Sequence, residues 1–122
     1  MKYEIFTSGN QKYFIIRVNE PMTAGLLAEL LRAIAEKMKG SGIEEFLFDL
    51  RRAQNLVSLT SQWWAIKNLM TELGFKPQSK YALLVTPELL AEYDFVETLL
   101  FNAGYRSKRF INDSEAIKWL EE

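Results

Sequence analysis

Residues 45–74, EFLFDLRRAQNLVSLTSQWWAIKNLMTELG, decide the fold. Phe46-Leu47-Phe48 is too short for a helix and too apolar for a half-exposed strand, so it reads as a central strand covered on both faces. A polar stretch follows, and Thr60 or Ser61 then caps a helix that runs to about Leu73. Gly74 stops that helix and Pro77 lies just beyond. Nowhere else in the chain do loop hydroxyls stand between a core strand and a helix start.

Working outward, the same alternation repeats on both sides. Upstream, Lys2 to Thr7 and Gln11 to Val18 form a β-hairpin around Ser8-Gly9-Asn10, with the second strand the more buried. Thr23 caps a helix from Ala24 to Lys39, whose Leu26, Leu27, Leu30, Leu31, Ile34 and Met38 share one face. Downstream, Lys80 to Val85 is a strand, and Thr86-Pro87-Glu88 opens a helix expected to reach Ala103. Ser107 to Ile111 is a last strand, at an edge where Lys108 and Arg109 discourage pairing with other chains. Asn112 or Asp113 caps the terminal helix. The order ββαβαβαβα predicts an α/β fold: a single mixed, mostly parallel five-stranded sheet with flanking helices. With 122 residues, the chain fits one domain, 1–122.

Composition removes several function classes. The chain has no cysteine and no histidine, which excludes thiolate nucleophiles, cysteine-bound metals, histidine-bound metals and a Ser-His-Asp triad. A net charge of -1 gives no overall field toward nucleic acid or anionic lipid. No stretch approaches the roughly 20 apolar residues of a membrane span, and the first residues lack the apolar core of a signal peptide, so a cytoplasmic protein is expected. Neither a metal nor a cofactor is expected, and the chain reads as a non-enzyme.

The candidate sites follow from residue type and direction. Ser58 to Gln62, at a helix start near Arg51 and Arg52, has the donors to meet an anion, although every such loop shares a helix start. Trp63 and Trp64 are adjacent and cannot share one core; a regular helix with Ile66, Leu69, Met70 and Leu73 inside turns Trp64 toward solvent, where it can anchor a protein partner or a homodimer. Leu90, Phe95 and Phe101 exceed what one helix face can bury, and mark either a second apolar surface or a helix broken near Tyr93-Asp94. Glu44 and Glu45 point to opposite sides of a strand start, and Asp49 next to Arg51 and Arg52 reads as a strand-end ion pair, so acid–base catalysis is not expected. The basic residues Lys76, Lys80, Arg106, Lys108 and Arg109 read as a solvated face.

Three segments carry a family likeness: Phe46-Leu47-Phe48-Asp49-Leu50; Tyr81-Ala82-Leu83-Leu84-Val85 after Gly74-x-x-Pro77; and the closing run Arg109 to Leu120, RFINDSEAIKWL. In these the chain resembles the STAS domains, and in particular small free-standing bacterial SpoIIAA-like anti-sigma factor antagonists. The resemblance implies a non-enzymatic regulatory or protein-interaction module, docking a partner through Gln54, Asn55, Ser58, Thr60, Ser61 and Trp64. It also places Ser58 at the position of the family's phosphorylated serine, although here Val57 precedes it and Leu59 and Thr60 follow where small residues are usual. The alternative reading of Ser58 and Thr60 is that they finish the loop and cap the helix. Because the STAS fold looks like the lipid-transfer CRAL-TRIO fold, the alternative function is a small-molecule or lipid carrier whose pocket would use Leu90, Phe95 and Phe101.

Overall fold

The computed structural model describes residues 1–122. Strands β1 (Tyr3–Thr7) and β2 (Phe14–Val18) pair antiparallel, with Tyr3 opposite Val18 and Thr7 opposite Phe14. β2 starts later than Gln11 because the connection is built on the buried Ser8 rather than on a short turn. Its Oγ accepts from the N–H groups of Lys12 and Tyr13 at 3.1 and 3.2 Å and donates to Asn10 Oδ1 at 2.7 Å. Gln11 takes the left-handed region, φ 59°.

β3 (Phe46–Asp49), β4 (Lys80–Leu84) and β5 (Arg106–Phe110) join in parallel, so the sheet order is β1-β2-β3-β4-β5. Every crossover from β2 onward steps in the same direction. Because such connections are right-handed, the three intervening helices must lie on one face. They are α1 (Ala24–Met38), α2 (residues 59–72) and α3 (Asp94–Asn102), and their Leu30, Ile34, Ile66, Leu69, Leu99 and Leu100 pack on Phe14, Ile16, Phe46, Tyr81 and Leu83. The opposite face is left to α4 (Asp113–Glu121), whose Ala116 and Leu120 meet Leu47, Ala82, Leu84 and Phe110. β3 is thus covered on both sides, as its apolar run requires. α4 packs on β3, β4 and β5, and Phe6 on β1 stays exposed, with Arg17 stacked over its ring at 5.5 Å.

The caps at Thr23 and Asn112 form as expected: Leu26 N–H donates to Thr23 Oγ1 at 3.2 Å and Glu115 N–H to Asn112 Oδ1 at 3.1 Å. The expected continuous helix from Thr86 to Ala103 does not form. Two 3₁₀ turns, Pro87–Leu89 and Ala91–Tyr93, precede α3, and Thr86 makes no side-chain cap. Tertiary bonds win over local helix periodicity here: Tyr93 donates its hydroxyl to Ala53 O, and Glu92 binds Asn55. Nor is the basic strip a free solvated face. Lys80 is buried and donates to Trp119 O and Glu122 O, Lys76 pairs with Glu44 at 2.6 Å, and Arg109 pairs with Asp94 and Glu97 at 3.0 and 3.3 Å.

Candidate functional site

The loop between β3 and α2 is fixed on both flanks by main-chain bonds. Met22 N–H donates to Gln54 O at 2.8 Å and Leu56 N–H to Met22 O at 2.9 Å, tying the loop to the segment before α1. From the other side Asn55 N–H donates to Glu92 Oε1 at 2.9 Å, and Asn55 Nδ2 donates to Glu92 O at 3.1 Å. Within the loop, Val57 N–H donates to Asn55 Oδ1 at 3.2 Å, and the buried Gln62 donates from Nε2 to Val57 O at 2.7 Å. The N–H groups of Asn55, Leu56 and Val57 and the carbonyls of Gln54 and Val57 are therefore paired within the protein, which holds the middle of the loop in place.

Ser58 is the N-cap of α2, accepting from Ser61 N–H at 3.1 Å; this corrects the assignment of the cap to Thr60 or Ser61 and agrees with the alternative reading in which Ser58 finishes the loop and caps the helix. Thr60 stands exposed in the first turn, and Ser61 is half-buried. Ser58→Ala is expected to cost about 1 kcal/mol of stability in urea unfolding, the usual worth of such a cap, whereas Ser58→Asp keeps an acceptor and should leave the midpoint near wild type.

α2 is not regular. After Leu59–Trp64 it widens into a π-helical stretch, Ala65–Leu69, before a last α turn at Met70–Glu72. Its inner side carries Gln62, Ala65, Ile66, Leu69 and Met70. Both tryptophans are exposed, Trp63 at 49% and Trp64 at 44%. Trp64 lines a shallow depression with Ala24, Leu27 and Ala28 of α1, and Trp63 is slightly the more exposed, so Trp63 has at least as strong a claim as an anchor. Sequence reasoning also missed Leu56 and Leu59, which are 55% and 61% exposed beside it. Leu59 shares the helical phase of Gln62 and Ile66 and so reads as core; only its place in the first turn, ahead of the neighbouring layer, leaves it outside. Leu56, Leu59, Trp63 and Trp64 are thus four exposed apolar side chains within residues 56–64, with Gln54, Asn55, Ser58, Thr60 and Ser61 in or beside the same stretch.

Leu90, Phe95 and Phe101 are exposed and stand apart from an apolar cavity beneath α3. That cavity, lined by Tyr93 just before α3 and by Val96 and Leu100 on it, together with Leu50, Val57 and Ile66, measures about 70 Å³. Ligand pockets run to roughly 300–1,000 Å³, so this space is too small for a lipid.

The carboxylates at the two ends of β3 have structural partners. Glu44 pairs with Lys76, Glu45 accepts from Lys80 N–H at 2.8 Å, and Asp49 takes Arg51 through both oxygens at 2.9 Å with Arg17 at 3.6 Å. Arg52 is absent from that pairing, and Arg17 on β2 takes the place expected for it. Burial by itself raises the Asp49 carboxyl, but the hydrogen bonds and charge of Arg51, with Arg17 behind them, overrule it and hold the group below the usual carboxylate range. Its folded value is thus lower than its unfolded one. The stability it contributes is present above about pH 4, the ordinary aspartate value, and is lost as pH falls through the lowered one. Asp49→Asn should therefore flatten the acid limb of a stability–pH profile measured by urea unfolding.

This architecture, three crossover helices on one face of a 1-2-3-4-5 mixed sheet and a terminal helix on the other, is a SpoIIAA-like, STAS-type α/β fold. Solved structures share it. An uncharacterized protein of the DUF3478 family with a SpoIIAA-like fold, from Shewanella loihica PV-4, is similar at a TM-score of 0.66 with 19% identity, over 97% of this chain and 91% of its own. The anti-sigma factor antagonist SpoIIAA in its unphosphorylated form is similar at a TM-score of 0.53 with 10% identity, over 98% and 97%. At these identities the likeness establishes the fold. Comparison with protein-family models and with curated proteins found no match. No helix is long and apolar enough to cross a membrane.

Proposed function

We propose that the chain is a non-enzymatic regulatory module that docks a protein partner on the 54–61 loop and the outer side of α2. One observation carries this reading: Leu56, Leu59, Trp63 and Trp64 stand exposed together on a segment whose backbone is already fixed. A preformed surface loses little freedom on association, and tryptophan is a favoured anchor at the centre of an interface. The polar rim of Gln54, Asn55, Ser58, Thr60 and Ser61 fits the same role. The commitment of Asp49, Glu44 and Glu45 to structural partners supports a module without acid–base chemistry. The fold shared with an anti-sigma factor antagonist agrees with a regulatory role, and a SpoIIAA-like chain in the cytoplasm is the setting in which this reading places it.

Ser58 supplies the control point. A phosphoryl group there would sit at the start of α2, where helix N–H groups favour negative charge, and would place that charge beside Leu59. Docking is then weakened electrostatically while the helix stays capped.

A photoreactive phenylalanine analogue at position 63, introduced in the organism of origin, tests the surface against the same probe at Ser114 on α4. The expected result is a discrete crosslinked product from position 63 and none from 114, lost when Leu59→Asp is added. A product of twice the chain's mass would identify a second copy as the partner. Crosslinking from 114 alone would contradict the reading.

A further inference from the structure

The face of the sheet that carries α4 holds a second feature, independent of the docking surface. At the carboxyl ends of β2 and β3 a cleft of about 340 Å³ is lined by Arg17, Val18, Asp49, Arg51 and Arg52. Asp49, only 7% exposed, accepts Nε and Nη2 of Arg51 on its two oxygens, and Arg17 Nε lies 3.6 Å from Oδ2. The buried carboxylate therefore fixes two guanidinium groups at the rim. Each guanidinium carries five N–H donors, so Arg51 keeps donors free after binding Asp49, and Arg52 forms no ion pair of its own.

We infer that this cleft binds a phosphoryl group, as free phosphate or as the monoester of a small molecule. A tetrahedral dianion can accept from donors that converge along different directions, which suits three separate guanidinium groups better than a single planar carboxylate does. Two further acids face the site. Glu4 Oε1 lies 3.8 Å from Arg17 and also accepts from Asn19, and Asp113 at the start of α4 acts electrostatically on Arg51. They oppose an anion and make its affinity adjustable by mutation.

The test is a titration of the full chain at pH 7.5 and constant ionic strength, following the arginine Nε–H signals by nuclear magnetic resonance. Inorganic phosphate and glycerol 3-phosphate are the probes and chloride is the reference. Saturable shifts at Arg17, Arg51 and Arg52 are expected with phosphate and not with chloride. Arg52→Gln should weaken binding by roughly tenfold, the worth of a charge-assisted hydrogen bond, and Asp113→Asn should tighten it, both with an unchanged unfolding midpoint. Tighter binding of glycerol 3-phosphate would assign a monoester, and tighter binding of the inorganic ion would assign free phosphate. Shifts that do not saturate, that chloride reproduces, or that Arg52→Gln leaves unaltered would overturn the inference.

Discussion

Phe46→Ala should be among the most damaging single substitutions in the chain, at about 3–5 kcal/mol by the usual cost of emptying a buried phenylalanine site. Phe46 is 1% exposed on the central strand. Its ring lies 5.1 Å from Tyr81, 5.6 Å from Phe75 and 6.1 Å from Phe14, so it joins β2, β3, β4 and the segment after α2. Strands on both sides close off relaxation around the void. Since domains of this size hold only about 5–15 kcal/mol in total, the variant should lose a third or more of a typical margin in urea unfolding. Phe46→Leu, which refills part of the volume, should cost less than half as much. Equal costs for the two would mean that the cluster is not packed as described.

Trp63→Ala should weaken partner binding by about 2 kcal/mol or roughly thirtyfold, in the range of an interface hot spot, with stability altered by no more than about 0.5 kcal/mol, as for an exposed site. Leu59→Ala should act in the same direction. Trp64→Ala is expected to lose less binding than Trp63→Ala, because Trp64 is the less exposed of the two rings and lines a depression shared with Ala24, Leu27 and Ala28 of α1. Calorimetric titration with the crosslinked partner, beside unfolding curves, separates the two effects. A larger binding loss at Trp64 than at Trp63 would reverse the assignment of the anchor.

Much of the fold was legible because local signals agreed with global ones. The apolar run Phe46-Leu47-Phe48 marked a doubly covered strand, and Thr23 and Asn112 marked helix starts that form. Which face each helix takes was not legible, because handedness puts three helices on one face only once the strand order β1-β2-β3-β4-β5 is known. What failed to be legible was decided by partners remote in sequence. The surplus of apolar residues offered a break near Tyr93-Asp94, where it falls, but not its cause: Tyr93 and Glu92 reach Ala53 and Asn55, some forty positions away in the chain. Arg17 replaces Arg52 at Asp49 because β2 lies beside β3, a neighbour relation that spacing alone does not reveal. The site was half legible for a similar reason. Its loop and Trp64 stood out, but Leu59 carried a core phase, and only the edge of the helical layer makes it surface.

The docking surface is the central claim, and hydrogen–deuterium exchange of the chain with and without its captured partner tests it most directly. Protection on binding should concentrate in residues 56–67, with β1, β2 and α4 unchanged. Protection confined to the face of the sheet that carries α4, with 56–67 exchanging as in the free chain, would contradict the account.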